Sequence, residues 1–131
     1  MRNHPDAYLW ETGKGLGSCF HRALSAWAML QRENSAHGWK IGVGVILNKE
    51  RERCIHAWLE RGGLVISAVS GDLYDRDWFY LRCEVERDTV RLVNPRKILR
   101  AHRINRASVQ WLLDAWGGHY RVEPGGGVVA A

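Results

Sequence analysis

The sequence predicts an α+β domain in which an N-terminal helix packs on an antiparallel β-sheet and a second helix lies near the C-terminus. Two helical apolar periodicities predict it, one after residue 18 and one after residue 105, with alternating strand-like stretches and glycine turns between them. A chain of 131 residues suits one core and is too short for two. We therefore expect a single domain over residues 1–123 and a flexible tail over 124–131.

The N-terminal helix is predicted to run from about Cys19 to about Glu33. It follows the glycine-rich stretch GKGLGS, in which Ser18 is a suitable helix cap. Apolar residues then recur at the spacing of one buried helix face, namely Phe20, Leu24, Trp27 and Ala28. This pattern is typical of a helix that packs on a core.

Three predicted strands follow, with the sequences WKIGVGVIL, RCIHAWLE and LVISAV. Gly42 and Gly44 share one face of the first, where another group can approach closely. Alternation in the second strand separates a polar set from an apolar set. The first set comprises Cys54, His56, Trp58 and Glu60, and the second comprises Ile55, Ala57 and Leu59. The apolar set is the expected core face.

The turn between the last two of these strands determines what lies opposite His56. We prefer a two-residue loop of Arg61 and Gly62, because it pairs apolar residues throughout and places His56 opposite Ser67. A loop centred on Gly62 and Gly63 would place His56 opposite Val69. The choice therefore affects which group can contact the imidazole.

The C-terminal half is predicted to contain two more strands and a helix. WFYLRCEVE and TVRLV are the strands, separated by a polar turn at Arg87 and Asp88. RASVQWLLDAW is the helix, capped by Asn105 and ended by Gly117 and Gly118.

Charge and cysteine content exclude several function classes. The formal net charge is +5, and the excess of cations lies in the basic stretch 91–106. The cations of this stretch alternate with apolar residues, as on a solvated amphipathic face. Nucleic-acid binding is therefore the least favoured function. No stretch predicts a membrane span or a signal peptide, which favours a cytoplasmic location. The three cysteines suggest no disulfide framework. Cys54 and His56 lack a second ligand pair for zinc, so no metal or cofactor is expected.

Cys19 and His56 are the candidate catalytic pair. A helix N-terminus stabilises a thiolate, because its free N–H groups and positive dipole end favour the anion. Such a thiolate needs a base that the fold brings near, and His56 lies in mid-strand on the face opposite the apolar one. His21 is closer along the chain but points away from Cys19 on the same helix.

The run CFHRALSAWAMLQRE, then IGVGV, then HAWLERGGLVISAV, resembles the core of the transglutaminase-like branch of the papain-like cysteine peptidases, and in particular the proteases that mature lasso peptides. The resemblance covers roughly residues 15–70. It implies that Cys19 is the nucleophile and that His56 is the general base and acid. It also implies a peptide or protein substrate and a separate partner protein that selects it.

The chain departs from this family at the third catalytic position. The family has an aspartate in the strand after the histidine, whereas this chain has Ser67, whose hydroxyl can accept from the imidazole but carries no charge. Asp72 is a substitute if its loop turns back, although a Gly-Asp pair is also ordinary turn chemistry. The backbone N–H of Cys19 would stabilise the oxyanion, with Lys14 or Ser18 as a second donor.

Two function classes therefore stand. The first is a Cys-His hydrolase or acyltransferase that acts on peptide or amide bonds through a thioester. The second is a binding or regulatory module that keeps the fold without catalysis, which the missing aspartate favours.

Overall fold

The computed structural model describes residues 17–47, 53–96, 104–117, 120–122 and 128–130. The elements in chain order are α1 (Gly17–Arg32), β1 (Lys40–Leu47), β2 (Arg53–Arg61), β3 (Leu64–Ile66), β4 (Leu73–Asp75), α2 (Arg76–Arg82), a 3-10 turn (Arg87–Thr89), β5 (Arg91–Val93), α3 (Arg106–Trp116), β6 (Tyr120–Val122) and β7 (Val128–Ala130). The predicted α+β class is confirmed. No helix within the described ranges has the length and apolar character needed to cross a membrane.

Helix α1 occupies nearly the predicted span and buries the predicted face. Phe20 and Leu24 are fully buried, and the indole Nε1 of Trp27 donates a 2.9 Å hydrogen bond to the carbonyl of Trp39. The helix begins at Gly17. Ser18 therefore lies inside the first turn and not before it, so the predicted cap position is wrong.

The central sheet has five strands in the order β4-β3-β2-β1-β5, and every neighbouring pair is antiparallel. β2 is the middle strand and pairs with β1 from Arg53 to Glu60. Within this pairing His56 lies opposite Gly44. The candidate histidine is thus at the centre of the sheet.

The observed register of the β2–β3 hairpin differs from the preferred one. Leu59 pairs with Ile66 and Arg61 with Leu64, so Gly62 and Gly63 form the loop. Gly62 has a φ of 58°, a conformation that glycine adopts without the steric cost that Arg61 would incur at the first loop position. The preferred pairing of His56 with Ser67 is therefore wrong.

Both faces of β2 are buried, and not only the apolar one. Ile55, Ala57 and Leu59 enter a cluster with residues of α1 and α3, which we call the α1 cluster. On the other face, Cys54 and Trp58 pack with Phe79 and Cys83 in the α2 cluster. The second helix layer on the polar face explains why β2 is buried from Cys54 to Glu60.

The second cluster depends on α2, which occupies the predicted strand WFYLRCEVE. Asp75 is its N-cap, and the side chain accepts a 3.1 Å hydrogen bond from the backbone N–H of Trp78. The helix buries Phe79 and Tyr80 and leaves Trp78 and Leu81 exposed. The strand prediction for this stretch is wrong. An apolar run this short has no clear periodicity, and the Asp75 cap and the packing of Phe79 and Tyr80 favour a helix.

The C-terminal elements agree with the prediction for α3 but differ at the end of the chain. Asn105 and Ser108 form a reciprocal capping box, and Gly117 ends the helix in the left-handed conformation with a φ of 92°. β6 pairs antiparallel with β7, so the expected flexible tail over 124–131 includes a strand at Val128–Ala130.

Candidate active site

Cys19 lies in the first turn of α1 with its side chain in the core. Its exposure is 0%, and it belongs to the α1 cluster together with Phe20, Ala57 and Leu59. The position at a helix N-terminus is as predicted, whereas the full burial is typical of a cysteine that packs as a small apolar residue.

His56 leaves β2 on the opposite face from Ala57. It is fully buried, and its ring centroid is 6.2 Å from that of Trp58, which is two residues further along the same face. Strand alternation therefore places Cys19 and His56 against opposite faces of β2. The backbone of β2 therefore lies between the two faces on which these side chains pack.

Trp58 determines the shape of the His56 face. Its indole covers Gly42 of β1, where an added Cβ would lie 2.4 Å from Nε1, and its distal edge reaches Gly44. The sequence predicts a close approach at these two glycines, and a tryptophan side chain makes it. The indole therefore fills the space over Gly42 and Gly44.

A buried polar network continues from Trp58. The carboxylate oxygen Oε1 of Glu60 accepts hydrogen bonds from Trp58 Nε1 at 3.0 Å and from the Tyr80 hydroxyl at 2.5 Å. Glu60 is 5% exposed, so these donors replace the water that a surface carboxylate would have. Burial, together with the hydrogen bond to Glu60, raises the pKa of Tyr80 far above its ordinary value, so its hydroxyl stays a donor.

Ser67 and Asp72 lie together in the turn that follows β3. The hydroxyl of Ser67 accepts 3.1 Å hydrogen bonds from the backbone N–H groups of Val69 and Ser70, and the N–H of Ser67 donates to the carbonyl of Asp72 at 3.0 Å. Ser67 is buried, whereas Asp72 is exposed. Both predicted candidates for the third position are therefore neighbours and hold the same turn.

This turn also contacts α1. Arg22 donates a 3.3 Å hydrogen bond from its guanidinium to the carbonyl of Val69. Arg22 and Cys19 are three residues apart and so share one side of the helix. The start of α1 and the turn after β3 are therefore held next to each other.

The sheet is interrupted at the level of His56. β3 pairs with β2 only from Leu59 to Arg61, and the chain then leaves the sheet at Ser67. Had β3 continued in this register, Val69 would lie opposite His56. Instead the chain turns after Ile66, and the carbonyl of Val69 accepts a hydrogen bond from Arg22 of α1.

Several predicted residues cannot be placed. Lys14 and residues 97–103 of the basic stretch lie outside the described ranges, as do the side chains of Ser18 and Arg106; Arg91 and Arg96 are described and exposed. Among the described residues, no group of three or more His, Cys, Asp or Glu side chains is arranged to hold a metal ion. The three cysteines form no disulfide.

Glu60, Tyr80 and Arg22 take part in contacts that were not predicted from the sequence. Glu60 carried a usable signal, because it shares a strand face with His56 and Trp58. Tyr80 carried none, since its stretch was predicted to be a strand. Arg22 is an ordinary helix cation whose partner is a loop carbonyl 47 residues away.

Comparison of the chain with protein-family models, curated proteins and solved structures finds no match. The resemblance to transglutaminase-like peptidases therefore rests on the motif residues of the sequence alone.

Proposed function

We propose that the protein is a Cys-His hydrolase or acyltransferase that acts on peptide or amide bonds, with Cys19 as nucleophile and His56 as general base and acid. The observation that carries the proposal is the break in the sheet beside His56, together with the Arg22 to Val69 contact that holds the start of α1 at this break. The proposal requires Cys19 and His56 to approach each other around this edge of β2, where no strand of the described residues pairs with it.

The chemistry divides one acyl transfer into two steps. His56 accepts the thiol proton, the sulfur of Cys19 attacks the amide carbonyl carbon, and the C–N bond breaks as His56 returns the proton to the leaving amine. Water or a second amine then attacks the thioester carbon, and the sulfur leaves as thiol. The backbone N–H of Cys19 is the proposed donor to the oxyanion.

Ser67 and Asp72 remain the proposed groups for orienting His56. Ser67 already stabilises the turn through two backbone donors, and the backbone carbonyl of Asp72, an exposed residue, accepts from the Ser67 N–H. A charged partner stabilises imidazolium better than a hydroxyl does. We therefore expect loss of the Asp72 carboxylate to slow turnover more than loss of the Ser67 hydroxyl, provided that the turn stays folded.

We also propose a cytoplasmic location and a partner protein that selects the substrate. The absence of a disulfide among the three cysteines suits a reducing compartment. The partner is implied by the family resemblance, and failure of any other protein to co-purify with the chain from its native cell would contradict it.

The second candidate function is a binding or regulatory module. The full burial of Cys19 in the α1 cluster favours it, because a nucleophile must reach its substrate. In that case the residues at the break hold the fold and carry out no reaction.

Site-resolved alkylation distinguishes the two candidates. We would treat the native protein, His56→Ala and the control His21→Ala with iodoacetamide across mildly acidic to mildly basic pH, and measure each cysteine by mass spectrometry. His21 is the matched control because it is an exposed histidine on α1. Cys54 and Cys83, both buried, serve as internal references.

Catalysis predicts that Cys19 reacts faster than the reference cysteines at neutral pH. It also predicts a loss of roughly tenfold or more of this reactivity in His56→Ala and no change in His21→Ala. If Cys19 reacts as slowly as Cys83 in all three proteins, the catalytic proposal is wrong and the binding module is favoured.

A further inference from the structure

The outward side of helix α2 carries two large apolar side chains between two opposite charges. The helix buries Phe79 and Tyr80 in the α2 cluster. Its other side is exposed, and Trp78 and Leu81 are 40% and 72% accessible to solvent. Adjacent exposed apolar side chains bordered by charges are typical of a protein–protein contact. The exposed residues follow helical spacings of three and four and are called here the α2 outer face: Asp77, Trp78, Leu81 and Arg82.

The indole of Trp78 is held in place from two sides. Tyr74 stacks on it, with ring centroids 5.3 Å apart and an interplanar angle of 13°. The guanidinium carbon of Arg82 lies 5.5 Å from the indole centroid. A side chain that is ordered before binding loses little conformational entropy on binding, and tryptophan is among the residues that contribute most to interface affinity. The α2 outer face is therefore preorganised for contact.

Both charges at the ends of this face can accept a further partner. Within the described ranges, no carboxylate pairs with Arg82. Asp77 accepts hydrogen bonds from Arg87 at 3.1 Å and from Arg76 at 3.4 Å, and both reach its Oδ1. A carboxylate has two accepting oxygens, so Oδ2 remains for another cation. One carboxylate and one guanidinium balance each other, which favours a partner with the same balanced pattern over a nucleic acid or another strongly charged surface.

The order of these residues along the helix is self-complementary. Asp77 and Arg82 lie equally far from the midpoint of the face, and so do Trp78 and Leu81. If two copies of the helix pack antiparallel about a two-fold axis, Asp77 of each copy meets Arg82 of the other, and Trp78 of each packs on Leu81 of the other. The helices need to align over only about one and a half turns.

We propose that the protein forms a symmetric dimer through the α2 outer face, so that the partner on this surface is a second copy of the same chain. Each dimer then contains two Asp77–Arg82 ion pairs and two Trp78–Leu81 contacts. Stable dimers bury about 1,200–2,000 Å² in total, and a seven-residue helix supplies only part of that area. The dimer is therefore weak and depends on protein concentration. It does not depend on the acyl-transfer proposal, because none of these residues has a role in that reaction.

Sedimentation velocity of the purified chain from about 10 µM to about 500 µM tests the proposal. We expect the average mass to rise toward twice that of the monomer over this range. Leu81→Gln removes an apolar contact and should keep the protein monomeric at every concentration. Met29→Gln is the matched control, because Met29 is 54% exposed on α1, which packs on the opposite face of the sheet from α2. This control should dimerise like the native protein.

Two charge reversals test the antiparallel arrangement. In Arg82→Asp two carboxylates meet at each end of the interface, and in Asp77→Arg two guanidinium groups do. Each variant alone should dimerise about tenfold more weakly than the native protein, because two attractive pairs become repulsive. An equimolar mixture has opposite charges at both ends, so it should form a heterodimer with nearly native affinity. Circular dichroism of each variant checks that it is folded.

Three results would overturn the proposal. If the native protein stays monomeric at the highest concentration, a different protein covers the α2 outer face. If Leu81→Gln dimerises as strongly as Met29→Gln, the dimer uses another surface. If the mixed charge variants associate no more strongly than each variant alone, the two helices do not meet in the antiparallel arrangement.

Discussion

Replacing Gly42 with alanine tests the packing that positions the His56 face. The added Cβ would lie 2.4 Å from Nε1 and 2.6 Å from Cε2 of Trp58, roughly 1 Å closer than carbon contacts allow. The indole has little room to move, because Nε1 donates to Glu60 and the ring packs at 5.8 Å from both Phe79 and Tyr80. Alanine in this position therefore forces the ring to shift and breaks its hydrogen bond.

The expected cost follows from these contacts. Overpacking costs about 1–3 kcal/mol, and loss of the Trp58–Glu60 hydrogen bond adds about 1.5 kcal/mol. The lower conformational entropy of alanine in the unfolded chain returns about 0.5–1 kcal/mol. We expect Gly42→Ala to reduce the free energy of unfolding by about 2–4 kcal/mol, measured by urea denaturation with circular dichroism.

Two other glycines provide matched controls. A Cβ on Gly63 meets nothing within 4 Å, so Gly63→Ala should leave the stability nearly unchanged. A Cβ on Gly44 would lie 3.0 Å from Val90 Cγ2, so Gly44→Ala should fall between the two. If Gly42→Ala is as stable as Gly63→Ala, Trp58 does not lie against β1 as described and the reasoning is refuted.

Two further substitutions test the polar network and the second helix cap. Tyr80→Phe removes a donor to Glu60 and should cost about 1.5 kcal/mol at neutral pH. The pKa of Tyr80 is raised in the folded protein, so this tyrosine ionises first in the unfolded chain. The free energy of unfolding should therefore fall as the pH rises above about 10, and it should fall less steeply in Tyr80→Phe. Equal pH dependence in the two proteins would contradict this. Asn105→Ala should cost about 1 kcal/mol in urea unfolding, whereas Asn105→Ser keeps the cap and should cost only a few tenths; equal losses would show that the cap contributes nothing.

Sequence patterns predicted correctly those elements that depend only on residues close together in the chain. α1 and α3 follow from apolar spacing and glycine, and the Asn105 cap lies where predicted, because these features depend on residues within a few positions of each other. α2 was missed because WFYLR has no strong period, and the helix form requires that the other side of the sheet be available for Phe79 and Tyr80.

The register of the β2–β3 hairpin could not be predicted from side-chain pairing alone. The observed register also pairs apolar Leu59 with Ile66, so the apolar pairs that favoured the other register did not decide the choice. The backbone did, because the first loop position needs a positive φ that Gly62 adopts easily. Moving the loop by one residue shifts the pairing by two, so Ser67 no longer lies opposite His56.

Some features of the candidate site follow from local sequence patterns, and others follow only from tertiary contacts. The sequence by itself determined the α+β class, the helix that begins near Cys19, and the strand on which His56 alternates with Ala57, because periodicity and turn residues are local properties. Only the tertiary structure decided that both faces of β2 are buried, that Ser67 and Asp72 share one turn, and that β3 leaves the sheet beside His56. These features arise from contacts between residues far apart in the chain, such as Arg22 with Val69, and no local pattern encodes which distant partner a residue will meet.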